Sequence, residues 1–363
     1  MRKNYSLPVL LFFSYLTLTG VLARFACAAE DSDSPTSSSI PPSVGEAIAE
    51  SAEKNDKHSY LSLTHENDLL AGSGDKFYTS GIQATYFNID SKPPSIVRKL
   101  VDDWGGFDIS SATLTSFTLG QKIFTPSNIR ISTPQPNERP WAGWLYGTIG
   151  LANVYDHHAD QFGLTLGMVG PASLVEQSQK FIHKHLSDSP EPQGWNNQIH
   201  TEPGLILSWD RRWPVWVNAE WQGYRVLFEP NISLAAGNIY TYGGAGITMT
   251  FGPDQGAVQD TPPRLTPSLP GTGYFDVTDR GWNWYMFTGL NTRLVARDIF
   301  LDGNTFRDSA HIDKKNVVAD ANAGLALTLG NTRIAYTLVY RTKEFEGQDD
   351  PSIFGSISLT QRF

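Results

Sequence analysis

The sequence is poor in charge and has almost no cysteine. Charged residues make up 18% of its 363 residues, and Cys27 is its single cysteine. Soluble domains average about 25% charged residues. A small secreted domain held together by disulfide bonds is therefore excluded. Acidic residues outnumber basic ones, 37 to 28, for a net charge of −9. This balance disfavours nucleic acid as a partner and suits divalent cations bound in loops.

Long hydrophobic runs are missing beyond the N-terminus, so no later transmembrane helix is expected. At the start, two basic residues precede an interrupted apolar stretch and a run of small residues. This pattern predicts a signal peptide over residues 1–29, cleaved after Ala28 or Ala29. A lipoprotein anchored at Cys27 and a true membrane anchor are the alternatives. Cleavage would remove the cysteine and three basic residues, which changes the net charge from −9 to −12.

The rest of the chain divides into a leader and one large domain. Residues 30–56 are rich in Ser, Pro, Glu and Asp and are expected to be disordered. Residues 57–363 are long enough for a single domain. Aromatic residues make up 12% of the chain. Together with the missing cysteines and the alternating segments, they suggest an outer-membrane β-barrel.

Alternation of apolar and small or polar residues is the main evidence for strands. In "TRIAYTLVYR", residues 332–341, Ile334, Tyr336, Leu338 and Tyr340 share one face. A soluble β-sandwich would give the same alternation. The alternating segments are 57–66, 77–88, 113–122, 142–153, 160–169, 201–209, 214–228, 239–251, 283–298, 317–329, 332–343 and 352–363. They number twelve, an even count as single-chain bacterial barrels require, and predict an all-β, 12-stranded antiparallel transmembrane barrel.

The strand count also predicts which loops face outward. With both termini periplasmic, the outward loops are the longer ones, as barrels usually show. They are 67–76, 123–141, 170–200, 229–238, 299–316 and 344–351. Two inward connections, 89–112 and 252–282, break this pattern, and the second has no assigned role.

The longest outward loop contains a predicted helix, residues 174–186. Ser173 would cap it, with Glu176 completing a capping box. Gln179 and His183 are four residues apart and share a face of this helix. Taken alone, a loop histidine is more often a solvated side chain than a catalyst.

Several motifs of known chemistry are absent. The chain has no Gly-x-Ser-x-Gly elbow and no His-Glu-x-x-His zinc motif. Asp68 does not begin an EF-hand, because Leu70 and Gly72 stand at ligand positions. What remains is a histidine base with an oxygen-ligand site.

Eight stretches together resemble the outer-membrane lipid A 3-O-deacylase family. In chain order they are ENDLLAGSGDKFYTSG, GQKIFTPSNI, RPWAGWLY, VGPASLVEQSQKFIH, GWNNQ, GNIYTYGGAG, DIFLDGNTF and KEFEGQ. They extend from Glu66 nearly to the C-terminus. The resemblance implies a 12-stranded outer-membrane barrel that removes 3-O-linked acyl chains from the lipid A of lipopolysaccharide, using Ca²⁺. A monomer among outer-membrane lipids is expected.

The resemblance also implies the roles of five residues. His183 would activate water, Gln179 would position the site, and Asn67 would lie near the oxyanion. Asp68 and Thr79 would lie at the calcium. Two family positions have no clear counterpart: a glutamate, for which Asp188 and Glu191 are the candidates, and a lysine that falls near Arg130.

Other interpretations of these residues remain open. Asn67 and Asp68 could simply bond their own backbone at the start of a loop. Trp141 and Trp144 are expected in an aromatic girdle, and Glu344 on the surface. For the whole protein, the alternatives are an outer-membrane phospholipase-type acyl hydrolase and a non-catalytic porin-like barrel.

Overall fold

The computed structural model describes most of residues 57–363. The described residues are 57–72, 77–89, 93–95, 99, 113–155, 157–185, 190–214, 216–254, 259–265, 273–277 and 280–363. The expected signal peptide and leader lie outside them. None of the helices in the described ranges is long and apolar enough to cross a membrane.

Strands dominate the described part of the chain. The elements are β1 (Ser59–Asn67), β2 (Phe77–Asn88), β3 (Thr113–Thr125), β4 (Ala142–Val154), β5 (Ala159–Val169), α1 (Val175–His185), β6 (Glu202–Arg212), β7 (Val217–Trp221), β8 (Tyr224–Gly237), β9 (Tyr240–Pro253), β10 (Trp282–Asp298), α2 (Ile299–Asp302), β11 (Val317–Leu329), β12 (Thr332–Arg341) and β13 (Ser352–Arg362).

Twelve of these strands form a closed antiparallel barrel. Sequential strands pair throughout, except that β8 pairs with both β6 and the short β7. The first and last strands close the barrel, with Tyr60 beside Arg362 and Asn67 beside Gly355. The 12-stranded barrel expected from the alternation is confirmed.

The two faces of the wall follow the alternation. On β1, Ser62, Thr64 and Glu66 point into the lumen and are at most 1% exposed, whereas Leu61 and Leu63 point outward. The same apolar outer face continues around the barrel, as with Leu338 on β12 and Leu359 on β13. A polar lumen and an apolar outer wall are what a membrane barrel requires.

The long loops lie at one end of the barrel, here called the Asn67 end. Between the strands they cover 126–141, 170–201, 299–316 and 342–351, while the opposite, Ser59 end has turns as short as 330–331. The predicted asymmetry therefore holds, apart from the two inward connections already noted.

The prediction of the seventh strand is wrong. Residues 214–228 do not form one strand: β7 ends at Trp221, a turn follows, and β8 begins at Tyr224. Gln222 and Gly223 both have positive φ, 52° and 80°, as a two-residue type I′ hairpin turn requires. The predicted outward loop 229–238 is instead mostly strand, because β8 continues to Gly237.

Part of the connection between β9 and β10 folds back into the lumen. Its described residues, 259–265 and 273–277, are here called the plug. Tyr274 and Phe275 are at most 1% exposed and pack against Tyr60 and Phe87 on the wall. The connection 252–282, for which the sequence indicated no role, therefore fills the Ser59 end of the lumen with side chains.

Buried charges join the plug to the wall. Arg264 Nε donates to Glu66 Oε1 at 2.6 Å, and both side chains are at most 1% exposed. Arg333 donates to the carbonyl oxygens of Asp260 and Gly273, each at 2.8 Å. These bonds offset the cost of burying the charges.

An apolar layer crosses the lumen at the Asn67 end. Phe300, on α2, stacks on Phe124 of β3 with ring centroids 4.1 Å apart. Trp144 and Phe354 belong to the same buried cluster. The lumen is therefore filled near both ends by side chains.

Candidate active site on the outer face of the barrel

Helix α1 begins against the outer wall of the barrel rather than inside it. On β4, Trp144 and Tyr146 point into the lumen, so Gly143 points outward. A Cβ added at Gly143 would lie 2.2 Å from Ser173 Oγ and 2.6 Å from Val175 Cβ. Glycine is therefore needed here for the close approach of the helix.

The start of α1 differs from the predicted capping box. Ser173 ends a short 3₁₀ turn, and its hydroxyl donates to the Gly170 carbonyl at 2.6 Å. Leu174 then takes a left-handed conformation, φ 58°. Glu176 pairs with Lys180 at 2.7 Å instead of reaching back to a cap.

The predicted Gln179/His183 face is confirmed. Val175 and Gln179 are buried and His183 is half-buried, at a spacing of four residues. Gln179 Oε1 accepts a hydrogen bond from Trp195 Nε1 at 2.8 Å. This bond fixes α1 to the loop that leads into β6.

The tautomer of His183 follows from its hydrogen bond. Its Nδ1 lies 2.7 Å from the carbonyl oxygen of Pro190. A carbonyl can only accept, so Nδ1 carries the proton. In the neutral ring, Nε2 then keeps its lone pair and can accept a proton.

Asn67 is the last residue of β1 at the rim, and Asp68 follows it at the start of a short 3₁₀ turn. Because Glu66 points into the lumen, Asn67 points outward. Its Oδ1 accepts from the Leu69 backbone N–H at 2.7 Å, so the backbone-bonding interpretation is correct for Asn67. With the oxygen held, the amide NH₂ is presented as a donor. Asp68 is only 2% exposed.

Thr79 lies on β2, but its side chain is outside the described part of the structure. The pairing of β2 with β3 passes from Tyr78/Phe124 to Ser80/Ile123, so Thr79 is the extra residue of a β-bulge. Bulges are common beside functional sites, where they redirect a side chain.

Strand register and packing bring the two parts of the site to one face. Asn67 pairs with Ser80, and Ser80 pairs with Ile123. Ile123 packs in one cluster with Val175 of α1 and Trp195. The β1 end and the helix are therefore separated by a single rung of outward-facing residues on β2 and β3.

The described residues contain no cluster of three or more His, Cys, Asp or Glu side chains that could hold a metal. Asp68 supplies one buried carboxylate of the hard oxygen type that calcium prefers. Asp188 lies outside the described residues.

Three expectations about neighbouring residues are wrong. Trp141 and Trp144 are buried, 2% and 1% exposed, and neither belongs to an outer girdle. Trp141 packs against Trp195 beside α1. Glu344 is buried rather than on the surface, and Arg139 Nη2 lies 3.3 Å from its Oε2.

Sequence reasoning missed the polar residues that share this outer face. Gln121 Nε2 donates to the Ser173 carbonyl at 2.8 Å and so holds the start of the helix. Ser80 and His65 also point outward near Asn67. The sequence does contain one indication of these residues: the outward-facing positions of β1 are apolar at Leu61 and Leu63 and become polar toward Asn67.

Comparison with known proteins relates this chain to one protein family and to solved structures of outer-membrane barrels. The family model described as "Outer membrane protein LpxR" matches residues 36–363. A solved structure of LpxR from Salmonella typhimurium is 19% identical, with a TM-score of 0.67, over 84% of this chain and 100% of that chain. The β domain of the Bordetella autotransporter BrkA is 10% identical, with a TM-score of 0.41, over 85% of this chain and 99% of that one. A comparison with curated protein sequences gave no match.

Proposed function

Because this chain belongs to the LpxR family of outer-membrane proteins, we propose that it hydrolyses the 3-O-linked acyl ester of lipid A. The substrate is an amphiphile whose ester bonds lie where its sugar headgroup meets its acyl chains. A hydrolase acting on it in the membrane needs its reactive groups at that boundary, on the surface that meets lipid.

The placement of the candidate residues on the outer wall carries this proposal. Asn67 ends an outward row that begins with Leu61 and Leu63, so the row turns from apolar to polar at the rim. Exposed apolar side chains stand before and after Asn67 along the chain: Leu63 is 48% exposed and Leu69 is 50% exposed. An acyl chain could lie along these apolar groups while its ester meets the polar ones.

His183 is the proposed general base. Its Nδ1–H is held by the Pro190 carbonyl at 2.7 Å, which leaves Nε2 to take a proton from the attacking water. A positioned general base contributes about 10²–10⁴ in rate. The Pro190 carbonyl fixes the ring and stabilises the cationic form that follows proton transfer.

Asn67 and Gln179 have different proposed roles. The Asn67 amide NH₂ is free to donate to the oxyanion, because its oxygen is held by Leu69 N. Gln179 is 2% exposed and bonded to Trp195. It therefore acts as a positioning residue that holds the helix carrying His183.

Calcium is the proposed cofactor. The Asp68 carboxylate would hold it, together with Thr79 and oxygens of the surrounding rim. When bound, the ion supplies positive charge for the developing oxyanion. Buried Asp68 stands directly after Asn67, so both would serve the same reacting group.

Two other functions are less favoured. A porin needs an open lumen, whereas here the plug and the apolar layer around Phe300 cross it. A phospholipase would use the same outer face and differs only in the lipid cleaved. All candidate residues come from one chain, and we propose that the enzyme works as a monomer.

The test is mass spectrometry of lipid A from membranes that contain the protein or its variants. Lipid A from membranes that contain the wild-type protein is expected to lack the 3-O-linked hydroxyacyl chain. His183→Ala should lower the rate at least about 100-fold. His185→Ala, on the exposed face of the same helix, is the matched control and should retain activity. Normal deacylation by His183→Ala would refute the mechanism, and release of phospholipid chains alone would refute the substrate.

A further inference from the structure

The lumen holds a cavity of about 240 Å³ between the wall and the plug. Side chains of β2 to β6, β8 and β9 line it on one side, and Pro263, Arg264 and Leu265 of the plug on the other. The candidate active site lies on the outer face of the same wall, so the cavity is a separate compartment. The proposed hydrolysis makes no use of it.

A buried lysine faces this cavity, and no carboxylate of the described residues forms a salt bridge with it. Lys122, on β3, is 6% exposed. Its Nζ lies over the rings of Tyr146 and Tyr240, 5.6 and 5.8 Å from their centroids. Among the described residues no carboxylate lies within 4 Å of it. Two aromatic faces recover only part of the cost of burying an ammonium group.

Two of the nearby acids, Glu66 and Asp320, are paired with other cations. A third, Asp298, accepts a hydrogen bond from the Phe300 backbone N–H at 2.9 Å. Glu66 stands on the same rung as Lys122, but Gly81 of β2 lies between them, which separates their backbones by roughly 10 Å. Glu66 accepts from Arg264 at 2.6 Å. Asp320 accepts from Arg341 at 2.7 Å and from Arg293 at 3.0 Å.

The charged side chains that line the described part of the cavity are both cations, Lys122 and Arg264. Arg264 forms a salt bridge with Glu66, whereas Lys122 forms none with a carboxylate in the described part of the chain. The cavity therefore has a positive potential at its Lys122 side, and nothing in its described lining opposes an anion.

A second donor stands beside Lys122. Gln83, on β2, is diagonal to Lys122 in the register, since Gly81 pairs with Lys122 and Gln83 with Gly120. Its Oε1 accepts from the Tyr146 hydroxyl at 3.1 Å. This bond turns the Gln83 NH₂ away from Tyr146 and presents it as a donor on the cavity wall.

We propose that the lumen cavity is a binding site for a small oxyanion, a carboxylate or a phosphate, held by Lys122 Nζ and Gln83 Nε2. The cation supplies the charge, and the amide supplies a directed hydrogen bond. Hydroxyl groups on the wall, including those of Thr85 and Thr118, complete a polar lining. Phosphate, acetate and a longer acyl carboxylate share this chemistry.

The test is thermal unfolding of the full-length barrel in detergent, with sodium phosphate, acetate or octanoate compared with sodium chloride at equal ionic strength. A ligand that binds only the folded state raises the unfolding midpoint. At least one of the three anions should raise it in wild type, and Lys122→Met should abolish that rise. Lys315→Met, at a surface ion pair with Glu346, is the control and should keep it.

The three anions distinguish the sources. If phosphate alone raises the unfolding midpoint, the ligand is a phosphate. If acetate raises it, the ligand is a small carboxylate, and if octanoate alone raises it, the ligand is an acyl product. The absence of a rise with all three, or an equal rise in Lys122→Met, would overturn the proposal. Should Lys122→Met fail to fold, wild-type crystals soaked in selenate decide the question. An anomalous peak beside Lys122 Nζ supports the site, and its absence overturns it.

Discussion

Replacing Arg264 by methionine should release the plug from the barrel wall. The change leaves the Glu66 carboxylate buried without its guanidinium partner. The two side chains are 1% and 0% exposed, and their atoms are 2.6 Å apart. Removing one partner of a buried pair costs about 3–5 kcal/mol.

Hydrogen exchange of the plug amides measures this cost. The Asp260 N–H is bonded to the Tyr274 carbonyl at 3.0 Å, and the Leu265 N–H to Glu66 Oε1 at 3.2 Å. At about 1.4 kcal/mol per factor of ten, the loss corresponds to roughly two to three and a half powers of ten in exchange rate. Amides in the barrel strands should change far less.

Two controls distinguish the effect of burying an unpaired charge from the effect of losing an ion pair. The Lys315–Glu346 pair is similarly short, 2.8 Å, but its side chains are 35% and 64% exposed. Lys315→Met should therefore change stability by less than about 1 kcal/mol. Replacing Glu66 and Arg264 together by methionine should restore slower exchange, because no charge is then left uncompensated. The reasoning is refuted if Arg264→Met changes exchange less than tenfold, or if the double variant exchanges as fast as the single one.

Three further predictions concern the outer face. Gly143→Ala should lower the rate of deacylation about tenfold or more, because the added methyl group displaces α1. Gly147→Ala, on the same strand, is the control and should keep the wild-type rate, since the nearest atom to its added Cβ would be 3.8 Å away. Equal rates for the two variants would contradict the packing of α1 on Gly143. Trp195→Phe removes the donor to Gln179 and should destabilise α1 by about 1–3 kcal/mol in hydrogen exchange, and Trp216→Phe, 65% exposed, should have no such effect. Chelation with EGTA should abolish deacylation and added calcium should restore it; an unchanged rate under EGTA would remove calcium from the mechanism.

Much of the barrel wall was predictable because each strand alternates with a period of two. The segment 317–329 was predicted with the bounds that β11 has. The prediction of the seventh strand is wrong for a local reason, because the turn at Gln222 and Gly223 divides the segment into β7 and β8. Pro230 lies inside β8, where proline is uncommon because it has no N–H to donate to the neighbouring strand. It is tolerated because it stands where β8 changes partners, with Phe228 pairing to β7 and Asn231 to β6.

The site was predictable in part. The four-residue spacing placed Gln179 and His183 on one face, as the structure has them. That α1 begins on the outside of the barrel was not predictable, since it depends on Gly143 and on a contact between distant segments. The plug was beyond sequence reasoning for the same reason: Arg264 and Glu66 are 198 residues apart, and the segment has no periodicity.

The route of the chain through the plug has a consequence for how the barrel assembles. The plug is connected to Pro253 of β9 and Trp282 of β10, which lie at the same, Ser59 end. Because both connections of the plug lie at one opening of the barrel, the plug can enter the lumen through that opening without a chain terminus passing through the barrel. The wall can therefore close first and be filled afterwards, so that the late step is a reversible docking rather than a rearrangement of strands.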